Sequence, residues 1–307
     1  MSIRFVDVAV ANVWLSPCNP RDLDAASLSH PADVEGWLAR LDDDEKGRID
    51  LVGRLETQVL YGEPVWVVGE EDGWAEIRVP EQHSSKDEGG YPGWVPVRQL
   101  TFHPDYHQAW QTEPLAFVTA PRTLLRLEGS ETVHPIAFMS KLPWLGEVDD
   151  EAIVLTPRGI VGRLPSEHIT VSRTLPIAGG EVRVATAERF LGLPYLWGGT
   201  SSYGFDCSGL MYRIFESAGI RIPRDAGDQA CYGERVPADE LRPGDLVFFA
   251  HNEGRGKIHH VGMYVGNGAF IHSPRTGHPI RINRLSEDPY GQEFCMARRY
   301  HGSETFP

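Results

Sequence analysis

The stretch Phe205-Asp206-Cys207-Ser208-Gly209-Leu210-Met211-Tyr212-Arg213-Ile214-Phe215 decides the reading of this chain. A loop gives way there to a helical run, so Cys207 stands at the mouth of a helix predicted over Cys207 to Ala218 and ended by Gly219. Leu210, Ile214 and Phe215 can dock that helix on a core and so fix the sulfur. The first turn of a helix carries unpaired amides and the positive end of the dipole, which favour a thiolate nucleophile. The Cys207 amide would also donate to a developing oxyanion. A lone cysteine is more often a small buried hydrophobe. Gly198, Gly199, Gly204 and Gly209 beside it leave little bulk to bury a thiol against, and suit the approach of a substrate backbone.

Working outward, His260 and His272 supply a base. Strands are predicted at Asp245–Phe249, Ile258–Val265 and Ala269–Ser273. With Gly266-Asn267-Gly268 as a three-residue hairpin loop, Gly262 faces His272. Val261, Met263, Val265 and Ile271 then form a core face, while His260, Gly262, Tyr264, Phe270 and His272 form a site face. A two-residue loop would turn His272 to the apolar side, because a one-residue slip reverses the alternation. The same alternation sends His259 to the core side with Val261 and leaves His260 as the base.

The 307 residues are too many for one ordinary core and point to two or three domains. A formal net charge of −14 argues against nucleic acid, which needs a basic face. Cys18, Cys207, Cys231 and Cys295 do not make a disulfide framework; a Cys231–Cys295 bridge stays open, with buried free thiols the simpler reading. No apolar run reaches the ~18 residues a spanning helix needs, so no membrane partner is expected. Asp7 and Asn12 interrupt the apolar start, and Pro17 precedes Cys18, so a strand and turn explain residues 1–18 better than an export signal. A cytoplasmic location is expected, with secretion as the alternative.

Upstream of the helix, Gln58–Tyr61, Val65–Val68, Trp74–Val79 and Tyr91–Val95 read as short strands broken by Gly and Pro, the pattern of a small barrel. A helical stretch within residues 32–52 interrupts it, and Asp42-Asp43-Asp44-Glu45 reads as a solvated helix face. Ser84–Gly90 reads as a polar surface loop. Residues 103–175 loosely echo the first region, as a divergent second copy. Ile177-Ala178-Gly179-Gly180 is a linker, and an α+β pattern follows it.

Tyr195–Gly199, Phe205–Gly209, Pro223-Arg224-Asp225-Ala226, Leu241–Phe249 and His260–Gly266 occur in the order seen in the NlpC family of papain-like cell-wall cysteine peptidases, which residues 181–300 resemble. The resemblance implies an α+β fold, a papain-like cysteine peptidase domain (177–307) preceded by two small all-β SH3-like barrels (1–102 and 103–176). It implies a Cys-His-His triad on Cys207, His260 and His272, with Tyr195 as a second oxyanion donor beside the Cys207 amide. The subgroup with two such barrels resembles γ-D-glutamyl-L-diamino acid endopeptidases that act on stem peptides with a free N-terminal L-Ala. Its ammonium site falls here on Asp225, Tyr91 and, more weakly, Glu56. Asp206 and Ser208 match substrate-contacting positions. Arg224 would complement a substrate carboxylate or serve a structural salt bridge. Ala226 lies where some relatives carry a hydroxyl residue, which would take a donor from the D-Glu carboxylate.

The expected activity is hydrolysis of L-Ala-γ-D-Glu-diamino acid peptides, by a monomer without cofactor or metal. A secreted autolysin acting on intact wall and a non-catalytic peptidoglycan-binding protein are the competing readings. A Cys/His metal site is disfavoured because no paired cysteine ligand accompanies Cys207.

Overall fold

The computed structural model describes residues 1–131 and 133–306. They fall into two compact units: residues 1–81, 89–174 and 201–203 in the first, and residues 82–88, 175–200 and 204–307 in the second.

The first unit is two antiparallel sheets built to one plan. Strands β1 (Ser2–Val6), β2 (Val10–Trp14), β3 (Leu55–Leu60), β4 (Pro64–Glu71), β5 (Trp74–Val79), β6 (Tyr91–Pro96) and β7 (Leu100–Thr101) lie in the order β3-β2-β6-β5-β4-β1-β7. Strands β8 (Leu115–Val118), β9 (Arg122–Leu127), β10 (Val133–Ala137), β11 (Lys141–Val148), β12 (Glu151–Leu155), β13 (Val161–Pro165) and β14 (Ile169–Ser172) lie in the order β10-β9-β13-β12-β11-β8-β14. Each strand of the second sheet takes the place of the strand seven earlier, so the faint echo in sequence is a full repeat in topology.

Period-two alternation builds these sheets. In β5, Ala75, Ile77 and Val79 turn inward while Trp74, Glu76 and Arg78 stay partly exposed. The second core gathers Val118, Leu125, Ile136, Leu142, Val154 and Leu164, but also Phe5 and Tyr61 from the first repeat. Phe5 meets the Tyr106 ring edge-on at 4.7 Å. A shared core of this kind explains why both sheets belong to one compact unit. Between β2 and β3, α1 (Val34–Asp43) starts where the Asp33 carboxylate accepts from Gly36 N at 2.8 Å, and buries Val34, Trp37 and Leu41. A second helix, α2 (Pro104–Thr112), opens on proline, whose missing N–H costs nothing at that position.

The second unit contains α3 (Gly180–Glu188), β15 (Thr200–Ser201, its second residue counted with the first unit), β16 (Gly204–Phe205), α4 (Cys207–Ser217) and α5 (Ala226–Gln229). Then come β17 (Glu234–Val236), β18 (Leu246–Ala250), α6 (His251–Gly254, an irregular turn in which Asn252 and Glu253 are left-handed), β19 (Ile258–Gly266), β20 (Ala269–His272), β21 (Arg281–Arg284), α7 (Tyr290–Glu293) and β22 (Phe294–Arg299). The sheet runs β17-β22-β18-β19-β20-β21. Helix α4 is buried from Ser208 to Phe215 and lies against β19. It ends as expected, at Gly219 with φ +70°. No helix among the described residues is long and apolar enough to cross a membrane.

Two local expectations need correcting. All four cysteines are free thiols, but Cys18 and Cys231 are exposed, not buried. The stretch after β5 is not wholly a surface loop: Ser84 is buried, and Ser85 N donates to Asp228 at 2.9 Å while His83 O accepts from Arg224 N at 3.0 Å.

Candidate active site

Asp206 caps α4. Its Oδ1 accepts from Gly209 N at 2.6 Å, which sets Cys207 at the first helical position. The turn can close only because residue 209 lacks a side chain, since a Cβ there would lie 2.0 Å from Gly199 O. Part of the glycine clustering around Cys207 therefore serves packing inside the fold.

Arg224 locks the turn from behind. It is 1% exposed, and donates to Asp206 Oδ2 at 2.6 Å, Asp206 Oδ1 at 3.2 Å and Ser208 Oγ at 2.9 Å. Asp206, Ser208 and Arg224 thus spend polar groups on one another, and the structural salt bridge expected as one role of Arg224 is present. Gln229 Nε2 ties the same turn to α5 by donating to Ser208 O at 3.1 Å.

Cys207 is partly exposed at the start of α4. Burial, then the Asp206 carboxylate, push the thiol up to about 12, against the Val261 and Ser208 backbone and the Arg224 charge. Tyr195 is buried, and burial followed by the neighbouring Cys207 and Asp206 raise its phenol far above the usual range. It therefore stays protonated and able to donate.

The histidines form a relay with a defined direction. His260 Nε2 lies 2.7 Å from His272 Nδ1, and His272 Nε2 lies 3.0 Å from Asn283 Oδ1. Asn283 Nδ2 donates to Glu287 Oε2 at 2.5 Å, which leaves Oδ1 to face His272 as an acceptor. His272 must then carry its proton on Nε2 and offer Nδ1 as a lone pair. His260 in turn donates from Nε2, so its Nδ1 is the free base. Burial is the main cause that lowers both imidazoles: His260 well below its ordinary range, with His272 and His259 adding, and His272 to about 4, with the Asn283 hydrogen bond opposing. The rings around them account for that burial. Tyr290 stands 5.1 Å from His272, Phe270 4.6 Å from His272, and Phe249 5.7 Å from His260.

The register that joins the histidines is reached by another route than the predicted loop. Met263 pairs with Ile271 and Tyr264 with Phe270, but Gly266 pairs with Ala269 after a register shift. The loop is Asn267-Gly268, with φ +52° and +72°, and the extra residue is a bulge at Val265. A two-residue loop plus one bulge equals the three-residue count, so Gly262 still lies opposite His272. A second bulge corrects His259. Phe249 pairs with His260 and Ala250 with Ile258, which leaves His259 unpaired and turned outward, its Nε2 3.2 Å from Glu293 Oε2.

Asn283, Glu287 and Tyr290 escaped the sequence reading. A signal existed in β21, where Ile282 is exposed and Asn283 takes the inward position, polar where an apolar residue is expected. Of the expected ammonium ligands, Asp225 lies beside Arg224, Oδ1 to NH1 at 3.8 Å, and 3.7 Å from Lys86 Nζ. In the first unit, Tyr91 is buried on β6 and its hydroxyl donates to Glu56 Oε2 on β3 at 3.3 Å.

Residues 192–299 match the NlpC/P60 family, and residues 52–100 match the bacterial dipeptidyl-peptidase SH3 domain. The γ-D-glutamyl-L-lysine dipeptidyl-peptidase of Bacillus subtilis is 42% identical over 291 residues, covering 95% of this chain and 96% of that protein. The Bacillus cereus protein of the same name is 38% identical over 304 residues, covering 97% and 91%. A crystal structure of an NlpC/P60 family protein from Bacillus cereus superposes with a TM-score of 0.94 at 37% identity, over 97% of this chain and 99% of the other.

Proposed function

The chain belongs to the NlpC/P60 family of cysteine peptidases, and from that premise we propose that it cleaves the γ-D-glutamyl–diamino acid bond of peptidoglycan stem peptides bearing a free N-terminal L-Ala. The observation that carries the chemistry is the directed relay Asn283–His272–His260, built on the sheet whose strand β19 packs against α4, the helix that Cys207 opens. In this reading His260 Nδ1 takes the Cys207 proton as the sulfur attacks the γ-carbonyl, and the imidazolium then protonates the departing amine. The Cys207 amide and the Tyr195 hydroxyl receive the oxyanion. Water next attacks the thioester, His260 accepts its proton, and the thiol is released with L-Ala-γ-D-Glu.

Substrate selection rests on the likeness to the two dipeptidyl-peptidases and on the Asp225 carboxylate, next to the Arg224 that holds the Cys207 turn. A desolvated ammonium needs such a partner. The test is cleavage of L-Ala-γ-D-Glu-L-Lys and its diaminopimelate counterpart, each with and without acetylation of the alanine amine, followed by chromatography. Cleavage of the free peptides, loss on acetylation and an inactive, folded Cys207→Ala are expected. Equal cleavage of blocked and free peptides would remove the ammonium requirement.

A further inference from the structure

His251, His259 and Glu293 place one ligand atom each within 4.8 Å of one another, on three adjacent strands or their ends. His251 follows the last residue of β18, His259 is the second residue of β19, and Glu293 directly precedes β22. Both neighbours of β18 bulge at the level of Phe249: β19 at His259, and β22 at Cys295, since Phe248 pairs with Met296 and Phe249 with Phe294. A bulge re-aims a side chain, and the one at His259 sends its imidazole out to the His251 ring, stacked at 4.1 Å and 15°. The turn after β18 brings His251 back over the sheet. Asn252 and Glu253 are both left-handed, with φ +53° and +55°, and the turn is clipped by Gly256 N donating to His251 O at 2.7 Å. His251 and His259 are exposed, and Glu293 is half-buried.

We propose that these three residues form a transition-metal site of the zinc class, separate from the Cys207 chemistry. Two imidazoles and one carboxylate suit zinc and its neighbours, while calcium and magnesium demand more oxygen ligands than are present. Zinc holds such donors at about 2.0–2.2 Å, which brings them to within roughly 3.5 Å of each other. His259 Nε2 and Glu293 Oε2 already meet that spacing at 3.2 Å. His251, exposed on its turn, closes the remainder by rotating its side chain. Three protein ligands leave positions open to solvent.

The test is calorimetric titration of tag-free, full-length Cys207→Ser protein with zinc, and visible spectroscopy of the same protein with cobalt(II). Uptake of one equivalent is expected, with ligand-field bands and no sulfur charge-transfer band. His251→Ala or Glu293→Gln in that background should weaken binding by at least about tenfold. In the Cys207 protein, His251→Ala should leave metal-free peptidase activity unchanged, showing an intact fold. Absence of uptake, binding unaffected by His251→Ala and Glu293→Gln, or displacement by magnesium or calcium would each overturn the proposal.

Discussion

His260 Nε2 and His272 Nδ1 are joined at 2.7 Å by a hydrogen bond whose direction is set by a third residue, Asn283. If His272 lost its Nε2 acceptor, its tautomer would no longer be fixed and part of its population would present Nδ1–H to His260. Asn283→Leu is therefore expected to lower kcat about 10- to 100-fold, a share of what general acid–base catalysis supplies, with KM little changed. Asn283→Asp keeps an acceptor and should retain most activity. Equal losses in the two variants would mean that Asn283 only fills space.

Because His272 is held at about 4, folding favours its neutral form. Its folded value lies below the ordinary 6.5, so the unfolded chain binds the proton more readily. That contribution to stability is complete above 6.5 and is lost as pH falls from 6.5 towards 4, by on the order of 3 kcal/mol at 1.36 kcal/mol per pH unit. The groups facing His272 are His260 on β19, Arg281 and Asn283 on β21, and Glu287 and Tyr290 beyond it. Denaturant melts of the wild type and His272→Gln at pH 7, 5.5 and 4.5 should converge as pH falls. A constant difference between them would refute the assignment.

Arg224 and Asp206 make a buried pair, and removing one partner strands the other. Arg224→Met should destabilise the second unit by about 3–5 kcal/mol and lower activity through disorder of the Cys207 turn. A residue that served a substrate carboxylate would instead raise KM at unchanged stability. Thermal unfolding beside kcat and KM separates the two.

These residues show why parts of the site were legible and others were not. Cys207 announced itself because a helix start is written locally, in Asp206 and the apolar spacing behind it. His260 and His272 followed from alternation, which is also local. Bulges are not, and the two at Val265 and His259 shifted the loop and reversed the side of His259 while leaving the relay in register. Asn283 pairs across from Phe270 on β21, a relationship that appears only once the third strand is in place. Phe5 and Tyr61 read as residues of the first barrel, yet they also fill the core of the second, a property of packing that periodicity does not carry.

Lys86 offers Asp225 an ammonium at 3.7 Å, the charge that the proposed substrate would bring. Both side chains are more than a third, or close to a third, exposed, so the pair is worth only about 0.2–1 kcal/mol. Lys86→Ala should therefore lower KM for the free-amine peptide by roughly 1.5- to 5-fold without changing kcat. Asp225→Asn should raise KM, and the benefit of Lys86→Ala should vanish in the double variant. Additive effects would show that Lys86 and Asp225 act apart.

Gly262 faces His272 across the β19–β20 pair at a point where any side chain would crowd its neighbours. A Cβ at this position would stand 2.6 Å from Phe270 Cδ2, 3.0 Å from Ile271 O and 3.1 Å from His272 Cβ. The Phe270 ring is itself boxed in by Phe249 at 5.0 Å and Tyr290 at 5.1 Å, so it has little room to yield. Strand β20 must then move, taking His272 with it and stretching its bond to His260. Gly262→Ala should cost about 1–3 kcal/mol from overpacking and lower kcat by more than that loss of folded protein explains. Comparing activity per folded molecule at a temperature where both proteins are native isolates the displacement of His272, and an unchanged kcat there would show that the hairpin absorbs the methyl group without disturbing the relay.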